Sequence, residues 1–237
     1  MKIIVNILLT TVISLSFIAC EDKKEFKDTL KIEKVKLEKP KWERKLILAD
    51  DRTEEWYKDA DYSEVAAYNI ANTYSTKLKA NYKAIEWYLY SDSIKKSIKN
   101  SVNLAITYED LKQYNKALFW YKNSYDNGNV EGATASARLY KNYLNNIKES
   151  ELWYQKAITK GSLNAIKGIS DLYIKHTNND IKASSYLINL LAYKNYQKHE
   201  ILNRLKNEWK LSDETIKKGY ELQLTMPGLP KRYTGGI

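Results

Sequence analysis

Few side chains in this sequence are suited to catalysis. Its 237 residues include one cysteine and two histidines, His176 and His199, and the histidines fall on different predicted elements. No His-Glu-x-x-His, Gly-x-Ser-x-Gly or phosphate-binding glycine-loop motif occurs. The run "KHTNND" around His176 offers ligands for a metal ion, although one imidazole in a turn is more typical of a solvated polar residue. The acidic pair Asp50-Asp51 lies near a segment that would give it no rigid support. We therefore predict that the chain is not an enzyme and uses no metal or cofactor.

The cysteine, Cys20, follows an apolar run that carries one charge, Lys2. This pattern predicts a secretory signal peptide over residues 1–19. The residues directly before the cysteine, "FIA", resemble a bacterial lipobox, with Phe17 where leucine is usual. The resemblance implies that Cys20 is lipidated and anchors the protein in the bacterial cell envelope, facing the periplasm. It does not distinguish the inner membrane from the outer membrane. The alternative is an uncleaved anchor, since about 20 apolar residues span a bilayer.

The charge and cysteine content narrow the choice of partners. The net charge is +10, and Lys2 is the only charged residue in 1–19, so +9 remains after cleavage. A net positive charge can favour binding of nucleic acid. Export to the periplasm would separate the protein from nucleic acid, and its lysines are scattered rather than clustered. With the cysteine acylated, no thiol remains for a disulfide, although the compartment is oxidising. We expect no nucleic-acid partner.

Residues 20–60 are predicted to form a charged tether that contains at most one short helix. The part up to about residue 45 is rich in Lys and Glu, includes Pro40 and lacks a helical apolar stripe. The run "LKIEKVKL" could instead pair as an edge strand. Fully extended, 25 residues would reach about 80–90 Å from a membrane.

Between residues 61 and 196, small and aromatic residues recur with a period of 33. One set places a small residue three positions before Trp-Tyr, and a second set places a small residue three positions before Tyr. Each unit predicts two short helices, since small residues let backbones approach and the aromatics fill the groove beside them. Gly128 and Gly161 stand where a helix C-cap needs a left-handed residue. The repeat signature consists of Ala71, Tyr74, Ala84, Trp87, Tyr88, Ala105, Tyr108, Ala117, Trp120, Tyr121, Ala137, Tyr140, Ser150, Trp153, Tyr154, Ser170, Tyr173, Ala183 and Tyr186.

Four such hairpins predict an all-α, right-handed helical solenoid with one continuous core. The stretch "YNKALFWYKNSYDNGNVEGATASARLY", with "KAIEWY" and "ELWYQKAITKGSLNAIKGISDLY", resembles the Sel-one-like repeats of the tetratricopeptide superfamily over residues 64–196. Two features depart from that family. Its glycine-containing loop between helices is replaced by "KLKAN" or "LKQYN", and the proline that commonly closes a unit is missing.

Residues 197–237 are predicted to cap the last repeat. Ser212 or Asp213 could N-cap a final helix, "ETIKKGYELQL". The tail "TMPGLPKRYTGGI" cannot be helical throughout, and we expect it to fold back on the last hairpin. The preceding run "KHEILNRLKNEWKL" carries its apolar residues on one helical face, namely Ile201, Leu202, Leu205 and Trp209.

Protein binding is the function that these patterns favour. The tryptophans are in register with the repeat, so they are predicted to pack between helices rather than to stack on a sugar. In solenoids of this superfamily the first helices line the concave surface, and two positions in each first helix should face it. They are Tyr68, Asn72, Val102, Ile106, Thr134, Arg138, Lys167 and Asp171. Alternatively, these side chains only cover the solenoid.

The lipobox, tether, repeats and cap together resemble small bacterial lipoproteins that act as immunity proteins against lipase effectors of type VI secretion. The resemblance implies one protein partner, a secreted phospholipase-type toxin, which the chain would bind and inhibit beside its lipid substrate. The alternative is a tethered adaptor or scaffold with several weaker partners among envelope or secretion proteins.

Overall fold

A computed structural model describes residues 37–237, which are all-helical, with twelve α-helices and no strand among them. The signal peptide, Cys20 and the first part of the predicted tether, including the run "LKIEKVKL" up to residue 36, lie outside the described residues. The helices are α1 (Lys45–Ala49), α2 (Thr53–Asp59), α3 (Glu64–Thr76), α4 (Asn81–Ile94), α5 (Ile98–Asp110), α6 (Tyr114–Asp126), α7 (Val130–Asn142), α8 (Ile147–Thr159), α9 (Leu163–Leu172), α10 (Asp180–Asn189), α11 (Lys198–Asn203) and α12 (Asp213–Thr225).

Helices α3 to α10 form four consecutive hairpins. In each hairpin the first helix (α3, α5, α7 or α9) packs on the second (α4, α6, α8 or α10), and the second packs on the next first helix. The all-helical class and the stacking of consecutive hairpins are therefore confirmed. Short helical turns extend three elements, at Tyr173–Thr177 after α9, Leu190–Ala192 after α10 and Arg204–Glu208 after α11.

The first helices begin at equivalent polar caps. Ser63, Ser97, Asn129 and Ser162 each accept a hydrogen bond from a backbone N–H of the first turn. Such caps satisfy donors that have no partner inside the helix. Successive caps are 34, 32 and 33 residues apart, so the repeat extends to the helix ends.

The turns inside the hairpins are closed by left-handed residues other than glycine. Lys79, Lys112, Asn145 and Asn178 have φ between 48° and 57° and are each 33 residues apart. The next residue donates its backbone N–H to the carbonyl of the repeat-signature tyrosine, as from Gln113 to Tyr108 at 2.8 Å. This bond explains how the loop forms without a glycine, because it holds lysine or asparagine in a conformation that glycine normally occupies.

The turns between hairpins match the prediction. Gly128 and Gly161 have φ of 99° and 90°, in the left-handed region expected for a C-cap. Nearby, Gly132 allows α7 to approach α6 closely, since a Cβ there would lie 2.5 Å from the carbonyl oxygen of Tyr121.

The repeat signature is buried as predicted, apart from two half-buried aromatics, Trp120 and Tyr140. The ring of Tyr125 covers Trp153, with centroids 5.7 Å apart. The residue 33 positions before Tyr125 is Asp92, whose short side chain cannot cover Trp120 in the same way. Trp120 therefore lacks the tyrosine that covers Trp153.

The prediction that residues 37–60 belong to a tether is wrong. From Leu37 onward the chain folds against the first hairpin, with Leu46 and Ala60 fully buried. Lys39 donates to the carboxylate of Asp61 at 2.6 Å. Apolar residues in this segment are too sparse to show a stripe in the sequence, but they bury against helices that are already stacked, so the segment is an N-terminal cap.

Asp50, which we expected to lack rigid support, is held by two cations. Its carboxylate accepts from Arg52 Nε at 3.0 Å and Nη2 at 2.8 Å, and from Lys77 Nζ at 2.7 Å. The Arg52 guanidinium, followed by Lys77, holds the pKa of Asp50 well below its usual range. Because Lys77 directly follows α3, these bonds tie the N-terminal cap to the first hairpin.

The C-terminal segment folds back on the last hairpin, as predicted. Helix α12 begins at Ser212, whose hydroxyl accepts from a backbone N–H, and it packs on α10. The side chain of Asn189 donates to the carbonyl of Lys231 at 2.8 Å. The backbone N–H of Leu211 bonds the carbonyl of Leu205 across left-handed Lys210, so α11 and its extension repeat the first-helix geometry once more.

None of the helices in residues 37–237 combines the length and apolar character needed to cross a bilayer.

Replacing Asp50 with asparagine is expected to lower the free energy of unfolding near neutral pH by about 1–2 kcal/mol, because three charge-assisted bonds from two cations weaken. The folded-state pKa of Asp50 is depressed, so its ionised form stabilises the folded protein above the unfolded-state pKa of about 3.9. That contribution is lost as pH falls through the folded-state value. Urea unfolding followed by circular dichroism should show a constant difference between the two proteins near neutral pH, shrinking below about pH 4. Asp51→Asn, at the exposed neighbour, should change little, and an equal loss in both variants would contradict the assignment.

Candidate functional site

The eight predicted partner-binding positions lie along the first helices, and none of them is fully buried. We call these positions, with the side chains that bond them, the first-helix face. Four of the eight bond or closely approach the neighbouring first helix or its cap, namely Tyr68, Thr134, Arg138 and Asp171. The structure therefore brings the predicted positions together, but the side chains at half of them contact the adjacent repeat.

Asn103 joins α3 to α5. Its side-chain amide donates to the hydroxyl of Tyr68 at 2.9 Å and to that of Tyr88 at 3.2 Å. The rings of Tyr68 and Tyr88 are 5.7 Å apart. We did not predict that Asn103 has this role. The sequence offers one indication, namely that Asn103 is a polar residue next to Val102 in a repeat whose two predicted binding positions are apolar.

Arg138 joins α7 to α5 through a two-pronged ion pair. Its Nη1 and Nη2 atoms donate to the two carboxylate oxygens of Glu109, each at 2.6 Å. The hydroxyl of Tyr121 donates to the same carboxylate at 3.0 Å. Burial would raise the pKa of Glu109, but the bonds and charge of Arg138 and the bond from Tyr121 outweigh it and lower the pKa. Glu109 is therefore a fixed anion.

Thr134 and Ser162 join α7 to the start of α9. Their hydroxyl oxygens are 3.1 Å apart, and Ser162 donates to Glu131 at 2.7 Å. Ser162 also caps α9 by accepting from the backbone N–H of Ala165. The cap and the contact between helices thus share one hydroxyl.

Asp171 joins α9 to the turn that extends α11. Its carboxylate accepts from Arg204 Nη2 at 2.6 Å. Beneath this pair, the ring of Tyr154 packs on Gly168, where a Cβ would lie 2.7 Å from the tyrosine hydroxyl. Burial raises the pKa of Tyr154 to about 12, and the charges of Arg138 and Asp171 both act on its hydroxyl. The tyrosine hydroxyl therefore lies within electrostatic reach of one member of each ion pair.

The other predicted positions include an apolar patch. Ile106 is 44% exposed and Val102 is half-buried next to it on α5. Ile106 and Glu109 are three residues apart on the same helix, which places them on one face. Lys167 is exposed and lies over the ring of Tyr196, 4.9 Å from its centroid. Asn72 is half-buried on α3.

The described residues offer little for catalysis. They contain no group of three or more His, Cys, Asp or Glu side chains that could hold a metal ion, and His176 and His199 are both exposed. A cleft of about 440 Å³ lies between α8, α10 and the tail, lined by Tyr173, Lys182 and Tyr186 among others. Within it, Lys182 Nζ donates to the hydroxyl of Tyr173 at 3.5 Å, and that hydroxyl donates to Glu151.

In comparisons with known proteins, no family model and no curated protein matches the chain.

Replacing Arg138 with methionine is expected to lower the free energy of unfolding by about 1–2 kcal/mol, because a partly buried carboxylate loses its partner. Glu109→Gln removes the same pair, so the double variant should lose less than the sum of the two single losses. Urea unfolding of the four proteins measures this coupling. Lys167→Met, an exposed cation of the same face, should stay within about 0.5 kcal/mol of the unmodified chain. Strict additivity would show that the ion pair does not join the repeats.

Proposed function

We propose that this protein is a lipid-anchored, protein-binding lipoprotein of the bacterial envelope, and that its first-helix face binds one protein partner. The observation that carries the proposal is the exposed patch of Val102 and Ile106 within a row of side chains fixed by bonds between first helices. An apolar centre with a polar rim is the usual anatomy of a protein interface. A face whose side chains are already held loses less conformational entropy on binding.

We infer further that the four hairpins are divergent Sel-one-like repeats arranged as a right-handed solenoid. The 33-residue spacing of the left-handed residues supports this inference, as does the "KALFWY" type of second helix. In such a solenoid the first-helix face would be concave and would surround part of the partner. A large surface of this kind suits a single, tight partner.

The partner that we propose is a secreted phospholipase-type effector, which the chain inhibits. The proposal depends on the resemblance to lipase-immunity lipoproteins, and the geometry supports it in one respect. The described residues begin at Leu37, so 16 residues lie between them and Cys20, and a chain of that length cannot span more than about 55 Å in any conformation. A lipidated Cys20 would therefore keep the first-helix face close to the membrane that a phospholipase attacks.

Replacing Cys20 with alanine is expected to abolish lipid attachment and to move the protein from the membrane fraction to the soluble fraction or leave the precursor uncleaved. Each buried acyl methylene contributes about 0.8 kcal/mol to membrane binding, so loss of the chains removes the anchor. Labelling with an alkyne fatty acid and fractionation of the cells measure both effects. The lipoprotein assignment would be contradicted if the Cys20→Ala protein still carried label. It would also be contradicted if the labelled unmodified protein kept the size of the uncleaved precursor.

Ile106 and Leu152 form a matched pair for testing the binding face. They are 44% and 43% exposed, the first on the first-helix face and the second on second helix α8. A photoreactive amino acid at position 106 of the full-length chain should cross-link one envelope protein in the producing cells, and the same group at position 152 should not. Ile106→Asp should weaken binding of that protein at least about tenfold, whereas Leu152→Asp should not.

The identity of the cross-linked protein separates the two functions. A single stoichiometric partner with lipase activity, which the chain abolishes on binding, would support inhibition of an effector. Several envelope or secretion proteins cross-linked from position 106, none of them a lipase, would favour the adaptor. Equal cross-linking from both positions would contradict the choice of face.

A further inference from the structure

We propose that Lys141 and Lys175 recognise a carboxylate side chain of the protein partner, beside the apolar contact at Ile106. The inference rests on the proposed function, because it assigns chemistry to part of the first-helix face. It adds what the partner must present, namely an acidic side chain close to an apolar one.

The two lysines lie next to the ion pairs that join the first helices. Lys141 follows Arg138 by three residues on α7, and Lys175 follows Asp171 by four in the turn that extends α9. Such spacings place each lysine on the same side as its ion pair. We call this group the charged seam, and its members are Glu109, Arg138, Lys141, Asp171, Lys175 and Arg204.

The charged seam is not neutral. Its six members comprise four cations and two carboxylates, a formal charge of +2, and the exposed carboxylate of Glu208 lies 4.0 Å from Arg204 at its edge. Arg138 uses both oxygens of Glu109, and Arg204 donates to Asp171. Among the described residues no carboxylate lies within 4.0 Å of the ammonium group of either lysine. The acids of the seam are therefore engaged by the arginines.

The environment of Lys141 favours an added anion. The side chain is half-buried, and burial lowers its pKa, as do the nearby charges of Lys175 and Arg138, while Asp171 acts in the opposite direction. A partly desolvated cation beside two like charges is unfavourable in the free protein. A carboxylate placed between the two ammonium groups would remove this repulsion and restore lost hydrogen bonds.

The position of the seam favours a protein carboxylate as the anion. Ile106 is three residues from Glu109 on α5, and Glu109 bonds Arg138, so the apolar patch and the lysines are continuous across α5 and α7. Neighbouring packed helices are about 8–10 Å apart. Ile106 precedes Glu109 by three residues and Lys141 follows Arg138 by three, so the two sites are also offset along the helices, and the partner should carry its acidic and apolar side chains more than about 10 Å apart. An anionic lipid headgroup would not need this apolar neighbour.

The test uses the full-length chain and, as probe, the protein that cross-links to position 106. Binding is measured for the unmodified chain, Lys141→Gln, Lys175→Gln and the control Lys160→Gln, whose lysine is exposed at the end of second helix α8. Each of the first two changes should weaken affinity about tenfold. The control should stay within about twofold, and the losses should shrink in high salt because screening weakens charge interactions. Binding to vesicles with and without anionic lipid is measured in parallel.

Charge reversal gives the sharper result. Lys141→Glu should abolish binding, and replacing the contacting acid of the partner with lysine should restore it. Thermal unfolding should show that Lys141→Gln is no less stable than the unmodified chain, since a repulsive charge is removed. A clear fall in melting temperature would instead assign Lys141 to stability, through its place in the last turn of α7, and would overturn the proposal.

The remaining outcomes separate this inference from the proposed function. If Ile106→Asp loses the partner while both lysine variants bind normally, the face is correct and the carboxylate inference is wrong. If Ile106→Asp also binds normally, the proposed face itself is wrong. If the lysine variants lose binding only to anionic vesicles, the lysines recognise lipid and the proposal of a protein carboxylate fails.

Discussion

The close approach of two helices at small residues is the constraint on which the rest of the structure depends. Ala71 and Ala84 are fully buried in the first hairpin, and Ala105 and Ala117 in the second. A larger side chain at any of these positions would separate the helices and open the groove that the tyrosines and tryptophans fill. Because every hairpin is closed in the same way, successive first helices lie side by side. The first-helix face is a consequence of this packing, and it would not exist in an isolated hairpin.

The turns show how tertiary structure can impose a local conformation. A lysine at positive φ is unfavourable by itself, yet Lys79 and Lys112 adopt it at the same point of successive repeats. The cause is the bond from the next N–H to the carbonyl of a buried tyrosine such as Tyr108, since breaking that bond would leave a buried carbonyl without a partner. The packing of the aromatic residue therefore sets the backbone about one turn later, and the turn forms without a glycine.

These cases explain how much the sequence could predict. The helical class, the hairpin bounds and the burial of the signature follow from a 33-residue period that is visible in the chain itself. The N-terminal cap does not, because Leu46 and Ala60 have no helical periodicity of their own and are buried only by docking on α3 and α4. The ion pairs also lie beyond sequence analysis. Glu109 and Arg138 are 29 residues apart, and only the offset between α5 and α7 brings them together.

The same ion pairs connect stability with recognition. The bonds that join the first helices occupy both oxygens of Glu109 and bind the carboxylate of Asp171. Lys141 and Lys175 therefore have no carboxylate within ion-pair distance among the described residues. A neutral seam would need two more acidic side chains, which would have favoured the free protein. Instead the face keeps two positive charges beside an exposed isoleucine. Residues that destabilise the free protein are commonly retained where they serve binding. The unbalanced charge is the feature that the proposed carboxylate of a partner would neutralise.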